Sequence, residues 1–129
     1  MNQFTENPVL GHITTFGGHP VCCAAGLAAM KVLINEKLVD RVHEKEFLFR
    51  ECLQHPRIKA IRSRGLLMAL ELDTAADVIK VAASCLRKGV LTDWFLFAPH
   101  CIRIAPPLTI KEKEIRKACL VMVEVLNKI

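Results

Sequence analysis

Aromatic side chains are scarce in this 129-residue sequence, which has no Tyr, one Trp and six Phe. Long apolar runs are also missing, because Gly, Pro, His, Thr, Asp or Trp interrupts the most apolar stretches, 9–30 and 90–102. Neither stretch offers the roughly 20 apolar residues of a membrane span. Residues 1–7 are polar and lack the basic and apolar regions of a signal peptide. We therefore expect a cytoplasmic protein with no membrane partner.

The charge pattern argues against nucleic-acid binding, although the net charge is +5, with 18 basic and 13 acidic residues. Acidic and basic residues alternate along predicted helices, as in 111–114, which is typical of solvated helix faces. The few aromatic rings also leave little for base stacking. We expect no nucleic-acid partner and a mild preference for anionic small molecules.

Paired metal-ligand spacing is absent from the six cysteines and five histidines. Most of the cysteines lie within apolar runs, so we expect reduced, buried thiols. The sequence predicts no metal site.

The balance of 52% hydrophobic and 24% charged residues is typical of one globular domain with an apolar core. Helical periodicity predicts an Ala-rich helix over 19–35, a second from Leu38 to before Pro56, and two more nearer the C-terminus. Thr74 with Asp77 and Thr109 with Glu112 resemble capping boxes that open these last two. Gly89 would end the third helix. The expected inward residues are Ile79, Ala82, Ala83 and Leu86 on the third helix, and Ile115, Cys119, Met122, Val123 and Leu126 on the last.

Period-two alternation predicts the strands. One strand is expected within 58–72, where Leu66, Met68, Leu70 and Leu72 share a buried face. A short extended piece follows at 90–97, and a strand over 101–105 ends at two prolines. Helices packed on one face of a small, mostly antiparallel sheet would bury the apolar stripes, so we expect an α+β fold.

The segment 13–20 is a candidate anion site, because Thr14, Thr15 and two glycines directly precede a helix that Pro20 can begin. Glycines allow close backbone approach, and the helix N-terminus favours negative charge. The same residues also fit an ordinary turn leading into a helix, which is the commoner use of such a segment.

Arg103 is the second candidate, because alternation places Ile102 and Ile104 on one face of their strand and Arg103 on the other. Its planar guanidinium suits bidentate capture of a carboxylate. An arginine on a strand is, however, more often a surface charge or a structural ion pair. The run 62–65, Arg-Ser-Arg-Gly, fits a phosphate site or a loop, and we favour the loop.

Three segments carry a family resemblance: TTFGGHPVCCAA at 14–25, RSRGLLMALEL at 62–72 and IRIAPPLTI at 102–110. In this order they resemble the C-terminal part of class III pyridoxal-phosphate (PLP) aminotransferases. This fold type I group includes the ornithine, acetylornithine and 4-aminobutyrate enzymes. The resemblance runs from about residue 11 to the end. His19 replaces the family's common Asn, and Ser63 replaces the first Gly of an R-G-x-G pattern.

The resemblance implies roles for the two candidate sites. Thr15 matches the family's Thr that reaches across a homodimer interface to the partner subunit's cofactor phosphate, and Thr14 adds a second hydroxyl. Arg103 matches the Arg that holds the carboxylate of an amino acid or 2-oxo acid substrate. Residues 1–19 correspond to an interface segment from the end of the large domain, and residues 20–129 to the C-terminal small domain.

The resemblance also implies that the family's catalytic Lys, which forms a Schiff base with the cofactor, lies in the large domain that precedes this region. We therefore expect no catalytic residue here and an inactive chain by itself. The helix over 20–35 should be exposed in the isolated chain and promote self-association. Two alternatives stay open: a stand-alone non-catalytic binding or interaction module, and part of a PLP-dependent racemase, aminomutase or decarboxylase of the same family.

Overall fold

The structure, a computed structural model, describes residues 14–129 in two units that meet in sequence at Lys37 and Leu38. The residues of the predicted interface segment before Thr14, and the polar N-terminus considered as a signal peptide, lie outside the described residues. The division into residues 1–19 and 20–129 stays a prediction about the whole protein. None of the helices in residues 14–129 combines the length and apolar character that crossing a membrane requires.

The first unit contains a turn over 15–18 and helix α1, Pro20–Asn35. Pro20 begins the helix as predicted, and the His19 ring nitrogen Nδ1 caps it by accepting a hydrogen bond from the Val21 N–H at 3.3 Å. The His that replaces the family's Asn therefore still caps the helix. No residue of α1 is buried, which confirms the exposure expected for the isolated chain.

The second unit has three helices: α2, Val42–Cys52; α3, Ala75–Arg87; and α4, Glu112–Leu126. Helix α2 begins later than the predicted Leu38, because residues 38–41 form turns. The predicted cap of α3 is confirmed, since the Thr74 hydroxyl accepts from the Asp77 N–H at 3.1 Å. Gly89 follows α3 with φ of +82°, as a C-terminal glycine does.

Two predictions about these helices are wrong. On α3, Ala82 is buried as predicted, but Ile79, Ala83 and Leu86 are exposed, and the other buried residues are Val78, Val81 and Cys85. The buried stripe thus lies one residue away from the predicted one. At α4, the N-cap residue is Lys111 rather than Thr109. The Lys111 N–H donates a hydrogen bond to the Glu114 carboxylate at 2.7 Å.

The sheet has four strands in the order β1-β2-β4-β3, all antiparallel: β1, Ala60–Arg64; β2, Leu67–Glu71; β3, Asp93–Phe95; and β4, Ala98–Ile104. The single strand expected within 58–72 is therefore a hairpin. Gly65, with φ of +60°, supplies the left-handed residue of its two-residue turn. Arg62 and Arg64 belong to β1, not to the expected loop.

The core lies between the helices and one face of the sheet. Met68 and Leu70 of β2 and Ile102 and Ile104 of β4 are buried there with the apolar stripes of the helices. The other face, which we call the open face, carries the alternate residues Arg62, Ala69, Glu71, Cys101 and Arg103. This arrangement confirms the α+β prediction.

The cysteines only partly match the prediction of buried thiols. All six are free, and Cys85, Cys101 and Cys119 are buried, whereas Cys22 and Cys23 are exposed on α1. The difference follows from the exposure of α1 as a whole.

Candidate functional site

Thr14 and Thr15 lie at the turn before α1, with both residues exposed. The Gly17 N–H donates to the Thr14 carbonyl at 3.4 Å, and Gly18 has φ of +76°, which favours glycine. A Cβ atom on Gly17 would lie 2.1 Å from the Thr14 hydroxyl oxygen, so a larger residue there would force the Thr14 side chain to move. The turn can thus present hydroxyls at a helix N-terminus, as an anion site requires.

Arg103 lies on the open face, in the middle of the sheet. Strand β3 pairs Asp93 directly with it, and its Nη2 donates to the Asp93 carboxylate at 2.6 Å. Both side chains are nearly half exposed, so the pair stabilises the fold by only about 0.2–1 kcal/mol. The predicted orientation away from Ile102 and Ile104 is confirmed.

A groove of about 430 Å³ runs along the open face beside Arg103. Its volume lies within the range of small-molecule sites. Arginine side chains provide its charge, and the β3–β4 hairpin provides an apolar wall in which Phe97 is 96% exposed. The lining residues are Arg62, Ala69, Phe95, Leu96, Phe97, Ala98, Cys101 and Arg103.

Arg62 is a groove residue whose position the sequence did not predict. Ala69 of β2 pairs with Arg62 on one side and with Arg103 on the other. Strand spacing therefore puts the Cα atoms of the two arginines about 10 Å apart across the small Ala69 side chain. The sequence analysis expected a single strand where the structure has a hairpin. No pattern in the sequence therefore indicated that Arg62 and Arg103 lie near each other.

The Arg62 guanidinium contacts two neighbours on the open face. It donates through Nη1 to the Glu71 carboxylate and through Nη2 to the Cys101 sulfur, the latter at 3.2 Å. Its hydrogen bond is the main cause that lowers the pKa of the Glu71 carboxyl below its ordinary value. Glu71 is therefore ionised at neutral pH.

Glu71, His100 and Cys101 form a group that the sequence also did not reveal. One potential ligand atom from each lies within 4.8 Å of the other two. Pairing of β2 with β4 sets Glu71 opposite Cys101, although the two are far apart in the chain. The prediction of no metal site considered only the spacing of Cys and His residues along the chain. Such spacing cannot reveal groups that strand pairing brings together.

The lysines lie away from this groove, since none contributes to its lining among the described residues. Several have partners elsewhere: Lys45 donates to the Leu108 carbonyl, Lys59 pairs with Asp73 and Lys88 pairs with Glu124. That no lysine here has a covalent role stays a prediction.

The predicted site residues belong to both units. Thr14 and Thr15 lie in the first unit, and Arg103 lies in the second. The structure brings Arg103 together with Asp93 through an ion pair, and with Arg62 along one groove. The fold and the groove together define an α+β domain with a half-exposed arginine beside a groove on its open face.

Comparison with known proteins gives the family. The model of the family "Aminotransferase class-III" matches residues 1–126. Acetylornithine aminotransferase from Caldanaerobacter subterraneus subsp. tengcongensis is 33% identical over 123 residues, covering 92% of this chain and 30% of the relative. Acetylornithine aminotransferase from Mycobacterium leprae is 42% identical over 109 residues, covering 81% of this chain and 26% of the relative.

The solved structures agree. Ornithine aminotransferase from Toxoplasma gondii, crystallized in the presence of oxidized glutathione and with partial occupancy of PLP at its active site, superposes with a TM-score of 0.77. The two share 36% identity, and the match covers 92% of this chain and 29% of that one. The chain belongs to the class III aminotransferase family and spans about 30% of the length of the relatives it matches.

Proposed function

We propose that this chain is the C-terminal part of a PLP-dependent aminotransferase that moves an amino group between an amine or amino acid and a 2-oxo acid. The observation that carries the proposal is the position of Arg103, which lines an open groove in a chain of this family. The fraction of its relatives that the chain covers supports a role within a larger protein.

Arg103 would hold the substrate carboxylate. A guanidinium has five N–H donors in one plane, and Asp93 accepts from only one of its nitrogens in this structure. The Asp93 pairing restricts rotation of the guanidinium, so that its other edge can grip a carboxylate bidentately. Fixing the carboxylate in this way would orient the neighbouring carbon for reaction.

Thr15, with Thr14, would hold the phosphate of PLP. The fit rests on three observations: both residues are exposed, the turn lies at the N-terminus of α1, and Gly17 leaves room that a Cβ would fill. Hydroxyls and helix N–H groups are the donors that a phosphate prefers. When bound, the cofactor supplies the electron sink for amino transfer.

The isolated chain should be inactive, because the resemblance places the catalytic Lys in the preceding large domain. Homodimeric assembly and a cytoplasmic location remain predictions.

Substitutions in the full-length holoenzyme test the two roles. We expect Arg103→Ala to lower kcat/KM for carboxylate substrates about 100-fold, equal to about 2.7 kcal/mol, while the absorbance of bound cofactor survives dialysis. We expect Thr15→Ala to accelerate loss of cofactor during dialysis, with kcat/KM recovering at saturating cofactor.

Arg64→Ala is the matched control for Arg103, because Arg64 is an exposed strand arginine outside the groove lining. Thr109→Ala is the corresponding control for Thr15, and both controls should leave both readouts unchanged. If Arg103→Ala and Thr15→Ala alter both readouts to the same extent, the proposed division of roles is wrong.

A stand-alone binding module is the second candidate, because the chain matches only 26–30% of its curated relatives. The mass of the polypeptide in its source cells, from immunoblotting and intact-mass spectrometry, distinguishes the two. A polypeptide mass that corresponds to several hundred residues would support the aminotransferase. A mass of 14.4 kDa would support the module, for which Thr15 and Arg103 would need other ligands.

A further inference from the structure

We propose that Glu71, His100 and Cys101 form a zinc-binding site where the end of β2 pairs with β4. Carboxylate, imidazole and thiolate are the three donor types that zinc uses in proteins. Three protein ligands also leave a fourth position for water or another ligand, as in zinc sites that are not purely structural. The site shares Cys101 with the lining of the groove beside Arg103, but its donor set does not require the proposed aminotransferase function.

The fold brings the ligands close together. The ligand atoms lie within 4.8 Å of one another. Tetrahedral zinc-ligand bonds of about 2.0–2.3 Å place the ligand atoms roughly 3.5 Å apart. Side-chain rotations that move the ligand atoms by about 1 Å would therefore bring all three within bonding distance of one zinc ion. Cross-strand pairing of Glu71 with Cys101 fixes two ligands. The Leu72 N–H donates to the His100 carbonyl at 3.0 Å and holds the third at the end of β2.

Arg62 competes with a metal ion for this site, because its guanidinium donates hydrogen bonds to both Glu71 and Cys101. A cation and this guanidinium therefore compete for the same two ligands. The Arg62 side chain is 56% exposed, so it can turn into solvent when a metal ion binds. Arg103, the other groove arginine, pairs with Asp93 and contacts none of the three ligands through a hydrogen bond in the described residues. Binding converts the Cys101 thiol to a thiolate and releases its proton to solvent.

Titration of the 129-residue chain with zinc ions, followed by calorimetry, tests the site. The Cys22→Ser/Cys23→Ser variant serves as the parent, because those adjacent exposed thiols are an alternative zinc site. We expect one zinc ion per chain and one proton released, measured in two buffers of different ionisation enthalpy. Cobalt ions should give a thiolate-to-metal charge-transfer absorption that Cys52→Ser retains and Cys101→Ser loses.

Ligand and competitor variants sharpen the test. Glu71→Gln and His100→Gln should weaken zinc binding at least tenfold, whereas His43→Gln, at an exposed histidine of α2, should not. Arg62→Gln should strengthen binding about tenfold by removing the competing charge, and Arg64→Gln should leave it unchanged.

Circular dichroism verifies that each variant is folded. The cobalt spectrum of the parent tests the thiolate ligand even if a ligand variant does not fold. The proposal is overturned if the parent binds no zinc, if cobalt binds without charge-transfer absorption, or if His100→Gln binds as tightly as the parent. Weaker binding by folded Arg62→Gln would overturn the assignment of Arg62 as competitor.

Discussion

Glu46 connects α2 to the β1–β2 hairpin through one carboxylate. It accepts hydrogen bonds from the Ser63 hydroxyl and from the Gly65 N–H, the latter at 3.0 Å. Arg50 donates to the same hydroxyl, from Nε at 3.0 Å and from Nη2 at 2.6 Å. Ser63, which replaces a glycine of the family pattern, thus joins two charged side chains of α2.

We expect Glu46→Gln to lower the free energy of unfolding by about 1–2 kcal/mol at neutral pH, because the amide accepts these hydrogen bonds more weakly. Urea unfolding followed by circular dichroism measures the change. Glu44→Gln is the matched control, since Glu44 is 75% exposed on the same helix. An equal loss in both variants would contradict a specific role for Glu46.

The contribution of Glu46 should also depend on pH. The Ser63 hydrogen bond is the main cause that lowers the pKa of this carboxyl below its ordinary 4.5. A lowered folded-state pKa contributes stability above the unfolded pKa, and this stability is lost as the pH falls through the folded value. The difference between wild type and Glu46→Gln should therefore persist at pH 6–7 and shrink below about pH 4.

At the scale of whole elements, the two predicted helix caps had different outcomes. Thr74 caps α3 as expected, whereas α4 begins after Lys111 and uses Glu114 to accept the N-cap N–H. Both threonines precede an acidic residue by three positions. The sequence motif alone therefore did not distinguish a capping threonine from one in the preceding turn.

Thr74→Ala should destabilise the chain by about 1 kcal/mol, because the Asp77 N–H loses its side-chain acceptor. Thr109→Ala should change the free energy of unfolding by less than about 0.5 kcal/mol. Urea unfolding of the two variants in parallel makes the comparison. A larger loss in Thr109→Ala would show that α4 uses the threonine cap after all.

At the scale of the whole molecule, the exposure of α1 is the dominant feature. Leu27, Met30 and Ile34 follow helical spacing along one side, and each is more than half exposed. Apolar surface of this kind marks an interaction site or an aggregation liability. In the proposed aminotransferase, the large domain and a partner subunit would cover it.

We therefore expect the isolated chain to self-associate at micromolar concentrations, as measured by size-exclusion chromatography with light scattering. Leu27→Lys together with Met30→Lys should shift the chain towards the monomer. Ile79→Lys, at an exposed apolar residue of α3, is the matched control and should not. A clean monomer of the parent across micromolar concentrations would contradict the role of α1.

The candidate site was predictable from sequence only in part. Alternation placed Arg103 on the face opposite Ile102 and Ile104, because side-chain direction along a strand depends only on position. The segment before α1 was expected to fit a turn, and Gly18 lies there with φ of +76°. Neither Arg62 nor the group of Glu71, His100 and Cys101 could be predicted in this way, because their proximity requires knowing which strands pair.

The sequence by itself determined the α+β class, the extents of α1 and α3 and the inward stripe Leu66, Met68, Leu70 and Leu72, because period and capping are local properties of the chain. The tertiary structure alone decided the strand order and the composition of the open face. Strand order depends on burying Met68 and Leu70 beside Ile102 and Ile104 under the helices, which is a property of the whole core. That burial sets the β2–β4 register, which places Glu71 opposite Cys101, and the β1–β2 register adds Arg62 to the face that carries Arg103.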